Sequence, residues 1–378
     1  MKKHIPIILL VAACFLSCKK EKLKEPCSLD ARDFTVLVEE KNVSLFTLES
    51  ESGIHMQVTN LGGRVVTLCT PDRKGNHEDI VLGYENINRY LHNEGERFLG
   101  PVVGRFANRI ANGQFTLDGI IYQLPINNNG QTLHGGLKGL DMVVWDVEKI
   151  CKNEIVLSYI SPEGEEGFPG TVRFEISYTL TPADEFKITY KATTDKPTFV
   201  NLSHHGLFNL KGEANGTITD HILTINADYI TPVNEVLIPT GEFMEVENTP
   251  FDFRQPTAIG ERINIENEQL KNGSGYDHNW VISKEKFDEI RHIATLYEPT
   301  CGRVMEVWSD QPGLQFYSGN FFNGKTIGKY GKTLNYREAV ALETQKFPDS
   351  PNQPAFPSTR LNPGEIYTHT CIYKFSTK

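Results

Sequence analysis

From Arg173 to Leu180 the chain reads RFEISYTL, with polar and apolar side chains in strict alternation. A period of two sends every second side chain to the same face, so the stretch is predicted to be a half-buried β-strand. Comparable runs rich in β-branched and aromatic residues recur along the chain. They are VSLFTLES (43–50), RVVTLCT (64–70), KITYKA (187–192), HILTI (221–225), HIATLYE (292–298), RVMEVWS (303–309) and YTHTCIYKF (367–375). Turn signals such as PDRKGN, SPEGEEGFPG, TPAD and NPGE divide them. Helical periodicity is scarce: NINRYL (86–91) and EKFDEIRHI (285–293) are each predicted as a short helix. No two strands bracket a long helix, which argues against a parallel α/β fold. The pattern predicts an all-β protein, a large antiparallel β-sandwich with few short helices, forming one domain over residues 31–378.

The first residues follow different rules. MKKHIPIILLVAACFLSCKK has a basic start, an apolar run from Ile5 to Leu16, then small residues before a cysteine. That is the form of a bacterial secretory signal, too short to span a bilayer comfortably. The terminal cysteine suggests a lipoprotein signal over residues 1–17, with lipid on Cys18 and a polar tether over 18–30. Cys14, after Val11-Ala12-Ala13, is the competing position, and an ordinary cleaved signal is the remaining alternative. The expected location is the cell envelope, on the periplasmic side or the cell surface, with the membrane touched through that anchor alone. Loss of Lys2 and Lys3 with the leader leaves 36 basic side chains against 48 acidic, a charge of −12. Nucleic acid is therefore not an expected partner, since phosphate binding needs a basic face. A monomer acting on a small molecule is expected.

Cys27, Cys69, Cys151, Cys301 and Cys371 are scattered without a CxxC pair, so they suggest neither zinc nor a dense disulfide framework. One or two disulfides stay open. There is no GxGxxG after a strand, no P-loop and no HExxH. Five polar clusters stand out instead: GRFANRIANG (104–113), TLHGG (132–136), NLSHHGLFNL (201–210), GYDHNW (275–280) and ALETQ (341–345). Together they offer an arginine, histidines, an aspartate and a glutamate, without a nucleophilic Ser or Cys motif. Such a set suits proton transfer on a neutral polyhydroxylated ligand, of which a sugar is the natural example.

At these residues the sequence also resembles the galactose mutarotase (aldose 1-epimerase) family. The resemblance runs from about Gly53 to Tyr373. Its seven blocks stand in the family's order: residues 60–84, 104–119, 132–141, 201–210, 275–280, 311–321 and 342–357. It implies a β-supersandwich fold and interconversion of the α and β anomers of aldohexoses such as galactose and glucose. It further implies Glu343 as general base and His205 as general acid, with Asn108, Arg109, His134, Asp277 and Gln315 as sugar contacts. No metal and no cofactor is required by that chemistry. His204 stands where the family usually has Asn and is read as a wall residue. The family commonly continues His-Ser-Tyr, whereas this chain has His205-Gly206-Leu207, which puts substrate preference in question. Ordinary pKa values of about 6.5 and 4.3 allow a protonated His205 beside an ionised Glu343 near neutral pH, with modest tuning.

Three other readings compete. A phosphorylated sugar would call for extra cations, for which Arg109 and Lys138 are the candidates. A non-catalytic sugar-binding lipoprotein would have no reason to keep acid and base together. A metal site from His204, His205, Asp277 and His278 meets the objection that neighbouring residues on a strand face opposite ways.

Overall fold

The computed structural model describes residues 27–92, 95–284 and 289–378. The leader, Cys14, Cys18 and residues 18–26 of the expected tether lie outside the described residues. All eight strand-like runs of the sequence are found in strands. The largest sheet has nine strands, in the order Asp146–Ile150, Glu154–Ser161, Val172–Thr181, Glu185–Thr194, Tyr367–Thr377, Arg303–Ser309, Arg291–Tyr297, Ile222–Ile225 and Thr257–Ala258. A five-stranded sheet follows the order Met244–Glu245, Tyr229–Thr231, Asp277–Val281, Gly313–Tyr317 and Ala341–Gln345. A four-stranded sheet runs Leu45–Glu49, His55–Thr59, Arg64–Pro71 and His77–Asp79. The ladders of all three are antiparallel.

Val172–Thr181 shows why the alternation is so readable. Its apolar residues Phe174, Ile176, Tyr178 and Leu180 are buried, while Arg173 is exposed and Glu175, Ser177 and Thr179 are half-buried. Those buried side chains join Met56 and Leu68 of the four-stranded sheet and Trp280, Phe316 and Leu342 of the five-stranded sheet in one continuous apolar cluster. Burial of this kind supplies most of the driving force for folding, at roughly 25 cal/mol per Å² of apolar surface removed from water. Three short α-helices occur among the described residues: Ile87–Leu91, Ile259–Arg262 and Glu268–Gly273. The first lies within NINRYL, and Asn86 caps it by accepting from the Arg89 N–H at 3.3 Å.

The second predicted helix, EKFDEIRHI, is corrected by the structure. Residues 285–288 lie outside the described residues, and Arg291–Tyr297 is a strand. It pairs with Arg303–Ser309 on one side and Ile222–Ile225 on the other. Two β neighbours override a weak helical spacing here.

Of the open cysteine pairings one forms, Cys27–Cys69, which closes a loop of 42 residues. Cys151, Cys301 and Cys371 are free. Beside the disulfide, the Leu29 N–H donates to Gln57 Oε1 at 2.8 Å and Gln57 Nε2 donates back to the Leu29 carbonyl at 3.1 Å. The last residues before the domain are thus stitched onto the four-stranded sheet.

Candidate active site

Three adjacent strands of the five-stranded sheet, Asp277–Val281, Gly313–Tyr317 and Ala341–Gln345, are buried along their whole length. Their two faces differ in chemistry. His278, Trp280, Phe316 and Leu342 turn into the core, with the His278 ring 4.7 Å from that of Phe251. On the opposite face the register aligns Asn279, Gln315 and Glu343 in one row across three strands, with Asp277 and Tyr317 in the next row. Gln315 Nε2 donates to Asp277 Oδ1 at 2.6 Å, which fixes both side chains. A cavity of about 250 Å³ opens over this polar face. That lies just under the roughly 300–1,000 Å³ of sites for larger ligands, a size suited to a single sugar ring.

Two loops complete the cavity. Arg109–Ile110 pairs with Thr132–Leu133, which sets the GRFANRI block beside the LHGG block. A side chain at Gly135 would fall 1.8 Å from the Gly104 carbonyl oxygen, so glycine alone permits this close passage. Asn108 and His134 both hold positive φ, 65° and 52°. They are locked together: the His134 N–H donates to the Asn108 carbonyl at 3.0 Å, and the Asn108 N–H donates to His134 Nδ1 at 3.1 Å. An acceptor Nδ1 makes His134 the neutral tautomer carrying its proton on Nε2. Burial agrees, pushing its pKa well below the ordinary value, with His205, Arg109 and Arg97 adding to the effect.

Six of the seven residues expected to bind or react line the cavity: Asn108, Arg109, His134, His205, Asp277 and Glu343. Gln315 stands behind them, holding Asp277. His205 Nε2 lies 3.8 Å from Glu343 Oε1, and the His205 ring meets that of His134 edge to face at 5.0 Å. Arg109 Nη1 is 3.9 Å from Asp277 Oδ2. The electrostatics differ from the sequence expectation. Burial, reinforced by Asp277 and opposed by Arg109, holds the Glu343 carboxyl well above its usual range. Burial also lowers His205 to about 4. Without ligand, the proton of this pair therefore favours Glu343, the reverse of what unperturbed values give.

The two adjacent histidines face opposite ways. His205 reaches the cavity, while the His204 ring packs among Phe186, Tyr178 and Tyr373 at 5.6, 6.1 and 6.3 Å. His204 is a core residue, and burial lowers its pKa to about 3. With His204 and His278 both turned into the core, the four residues of the metal reading do not converge. Lys138 pairs with Glu39 on the surface at 2.5 Å, so the phosphorylated-sugar reading loses one of its cations. Leu207 sits in an apolar cluster with Tyr84 and Tyr317 and is not part of the cavity wall.

The sequence reading missed several wall residues, among them Glu96, Phe98, Asn128, Tyr317 and Phe321. Tyr317 was within reach, since it follows Gln315 by two positions and so shares its face. Glu96 and Phe98 lie in GERFLG, which carries no periodicity or motif that marks it. Phe98 places its ring 4.7 Å from His134 and 5.8 Å from His205.

Residues 44–374 match the family described as Aldose 1-epimerase. The chain is 42% identical over 334 residues to the galactose mutarotase of Bos taurus, covering 88% of this chain and 94% of the relative. It is 34% identical over 333 residues to the aldose 1-epimerase of Escherichia coli K12, with the same coverage of 88% and 94%. In three dimensions it superposes on an aldose epimerase homologue from C. elegans with a TM-score of 0.81 at 27% identity, covering 89% of this chain and 99% of the other. A galactose 1-epimerase from Lactobacillus acidophilus gives a TM-score of 0.78 at 29% identity, covering 90% and 97%. Sequence and fold agree over nearly the whole length of these relatives, and the chain belongs to the aldose 1-epimerase family, whose members interconvert the anomers of aldoses.

Proposed function

We propose that this enzyme equilibrates the α and β forms of galactose and glucose, with Glu343 as general base and His205 as general acid. The observation that carries the assignment is the 3.8 Å approach of His205 Nε2 to Glu343 Oε1 inside one small polar cavity. In an aldohexose ring the C1 hydroxyl and the ring oxygen are bound to the same carbon. A carboxylate and an imidazolium this close can serve both oxygens at once. Glu343 removes the proton from the C1 hydroxyl as His205 delivers one to the ring oxygen, and the C1–O bond of the ring opens. The aldehyde turns about C1–C2, and the ring recloses on the other face with the proton transfers reversed. His134 adds an N–H donor on Nε2. Asp277, held by Gln315 and Arg109, grips sugar hydroxyls, and Asn108 and Arg109 complete the grip.

The ionisation needed is Glu343 charged and His205 protonated, and the buried pair resists it. Hydrogen bonds from sugar hydroxyls to the carboxylate offset that resistance, because bonding to a charged form favours it. No cofactor enters these steps. The cavity is complete within one chain, which supports action as a monomer. The Cys27–Cys69 disulfide suits an oxidising compartment and supports export, while the proposed lipid anchor on Cys18 rests on the form of the leader sequence alone.

Polarimetry of fresh α-galactose and α-glucose with protein lacking residues 1–18 tests the reaction. Faster equilibration without added metal or nucleotide is expected. Traces equal to buffer for these and other aldoses would leave a sugar-binding protein instead. Mass spectrometry of the N-terminal peptide of the exported protein tests the anchor, which an unmodified terminus would remove.

A further inference from the structure

The cavity wall holds a carboxylate that the reaction does not use. Glu96 lines the same space as Glu343, Asp277 and His205. Its Oε1 accepts from the Phe98 N–H at 3.1 Å. Its sequence neighbour Arg97 is the obvious counter-charge, yet that guanidinium turns away. Arg97 forms a two-pronged pair with Asp141 at 2.8 and 2.9 Å and donates to the Gly136 carbonyl at 3.2 Å. Arg64, the next cation, spends its donors on the carbonyls of Arg97, Leu99 and Asp141. Among the described residues no cation forms an ion pair with Glu96.

The backbone of the segment is tied down at Glu96 and at the two positions Arg97 and Leu99 that follow it. The Arg64 Nη1 group bonds the carbonyls of Arg97 and Leu99 at 3.0 and 3.2 Å, and the Tyr84 hydroxyl donates to the Glu96 carbonyl at 3.0 Å. The carboxylate is thus held in place before any ligand arrives. The other charges of the site are internally balanced or reserved: Arg109 stands against Asp277, and Glu343 is the proposed base. Burial raises the Glu96 pKa, while the Phe98 N–H, the Arg64 guanidinium and the Arg97 N–H oppose that rise and favour the charged form. Once ionised, this carboxylate is the surplus charge of the wall, and a charge facing a partly desolvated cavity discriminates by sign.

We propose that Glu96 is a specificity-determining residue, selecting uncharged and amino-bearing aldoses and rejecting hexuronates and sugar phosphates. This rests on the aldose site proposed above and deepens it. An ammonium on the sugar gains attraction from the wall, a carboxylate or phosphate meets repulsion, and a neutral hexose has a hydroxyl acceptor. The same residue gives a physical reason why a phosphorylated substrate fits this chain poorly.

The test measures competition against mutarotation of galactose by the whole mature protein. Galactosamine and galacturonate are added as pre-equilibrated anomer mixtures at pH 6.5, so that their own rotation is constant. The parent is expected to bind galactosamine more tightly than galacturonate, by tenfold or more in Ki. Glu96→Gln keeps the shape and the acceptor for the Phe98 N–H but removes the charge. It should cut that Ki ratio by threefold or more and leave the circular dichroism spectrum unchanged. A smaller cut, or no inhibition of the parent by either sugar, overturns the proposal. If Glu96→Gln does not fold, the parent alone decides. Raising the salt concentration should weaken galactosamine inhibition by more than it shifts the KM for galactose, though by less than at an exposed site because the cavity is partly desolvated, and equal responses overturn it. A parent with no galactose activity at all would instead sink the aldose 1-epimerase reading of the site.

Discussion

His205 Nε2 stands 3.8 Å from Glu343 Oε1, although the two residues are far apart in the sequence and sit on different strand systems. Glu343 projects from the middle of Ala341–Gln345, a strand buried on both faces. His205 follows the short strand Ser203–His204, and its own N–H donates to the Pro101 carbonyl at 2.8 Å. Both side chains are therefore placed by backbone that cannot easily move, and a pair positioned in this way can pass protons without first having to order itself.

The first consequence concerns Glu343. Glu343→Gln keeps the volume and most hydrogen bonding but cannot accept a proton from the C1 hydroxyl. The expected fall in kcat is about 10²-fold or more, the usual contribution of a positioned base. KM should change little, and circular dichroism should match the parent. Polarimetry at saturating galactose measures it, and a loss under tenfold would exclude Glu343 as the base.

The adjacent histidines give a paired prediction. His205→Asn removes the acid and should cost kcat heavily, on the order of 10²-fold. His204→Asn leaves the cavity wall intact and should keep kcat/KM within about threefold. It should nevertheless lower stability by about 1–3 kcal/mol, since an amide replaces a ring packed against Phe186, Tyr178 and Tyr373. Urea titration and polarimetry on the two variants separate the roles. The reverse pattern would mean that the wrong histidine has been assigned.

How much of this was readable in the sequence depends on which face of a strand carries the information. Val172–Thr181 has one buried face, so its period of two announced it. Asp277–Val281 and Gly313–Tyr317 are buried on both faces, with a polar site on one side and aromatic core on the other. Such strands show no clean alternation of solvent and core, and GYDHNW read as a polar cluster without its strand. Arg109, His134, His205, Asp277 and Glu343 were legible as unusual polar residues in small or apolar settings. Their convergence was not, because it depends on pairings such as Gln315 with Glu343 that no local pattern encodes. The direction of the proton balance was also hidden, since it comes from burial rather than residue type.

That balance makes the pH profile informative. The reaction needs one proton on the pair, so that one member is base and the other acid. Below the lower apparent pKa both Glu343 and His205 carry protons, and there is no base. Above the upper one neither does, and there is no acid. Burial lowers His205 to about 4 and lifts Glu343 well above its ordinary value. The profile of kcat/KM should therefore be bell-shaped, with an acid limb near pH 4 and an alkaline limb above the ordinary carboxylate range. The two values belong to the pair rather than to single residues. An acid limb near 6.5, the ordinary histidine value, would contradict the shifts.

Away from the site, Lys329 offers a test of stability. Its buried ammonium reaches the carbonyls of Val66 and Val81 at 2.6 and 2.8 Å and pairs with Asp79 at 3.0 Å and Glu213 at 2.9 Å. Burial works against the charge, yet the two carboxylates outweigh it and raise the lysine pKa. Lys329→Met strands both carboxylates in the interior and should cost about 3–5 kcal/mol. The triple change Lys329→Met, Asp79→Asn, Glu213→Gln should recover a measurable part of that loss. Chemical denaturation gives both values, and a single change costing under 1 kcal/mol would show that the cluster carries little of the stability.

The last prediction ties together two departures from the family pattern. His204 replaces the usual Asn, and Gly206 replaces the usual Ser. A side chain at Gly206 would stand 2.8 Å from His204 Cε1, 2.9 Å from His204 Nδ1 and 2.9 Å from the Phe208 ring, closer than real contacts allow. The large ring at 204 thus demands the absence of a side chain at 206, and the two positions form one unit. Gly206→Ser alone forces the His204 ring off its seat and should destabilise by about 1–3 kcal/mol, as overpacking does. In the His204→Asn background the two contacts with the His204 ring are gone and only the Phe208 ring remains close, so the serine should cost less. A double-mutant cycle should therefore yield a coupling of about 1 kcal/mol or more, with the double variant more stable than the sum of the single changes. Strict additivity would mean that Phe208 rather than His204 sets the limit at position 206, and that the two departures are independent.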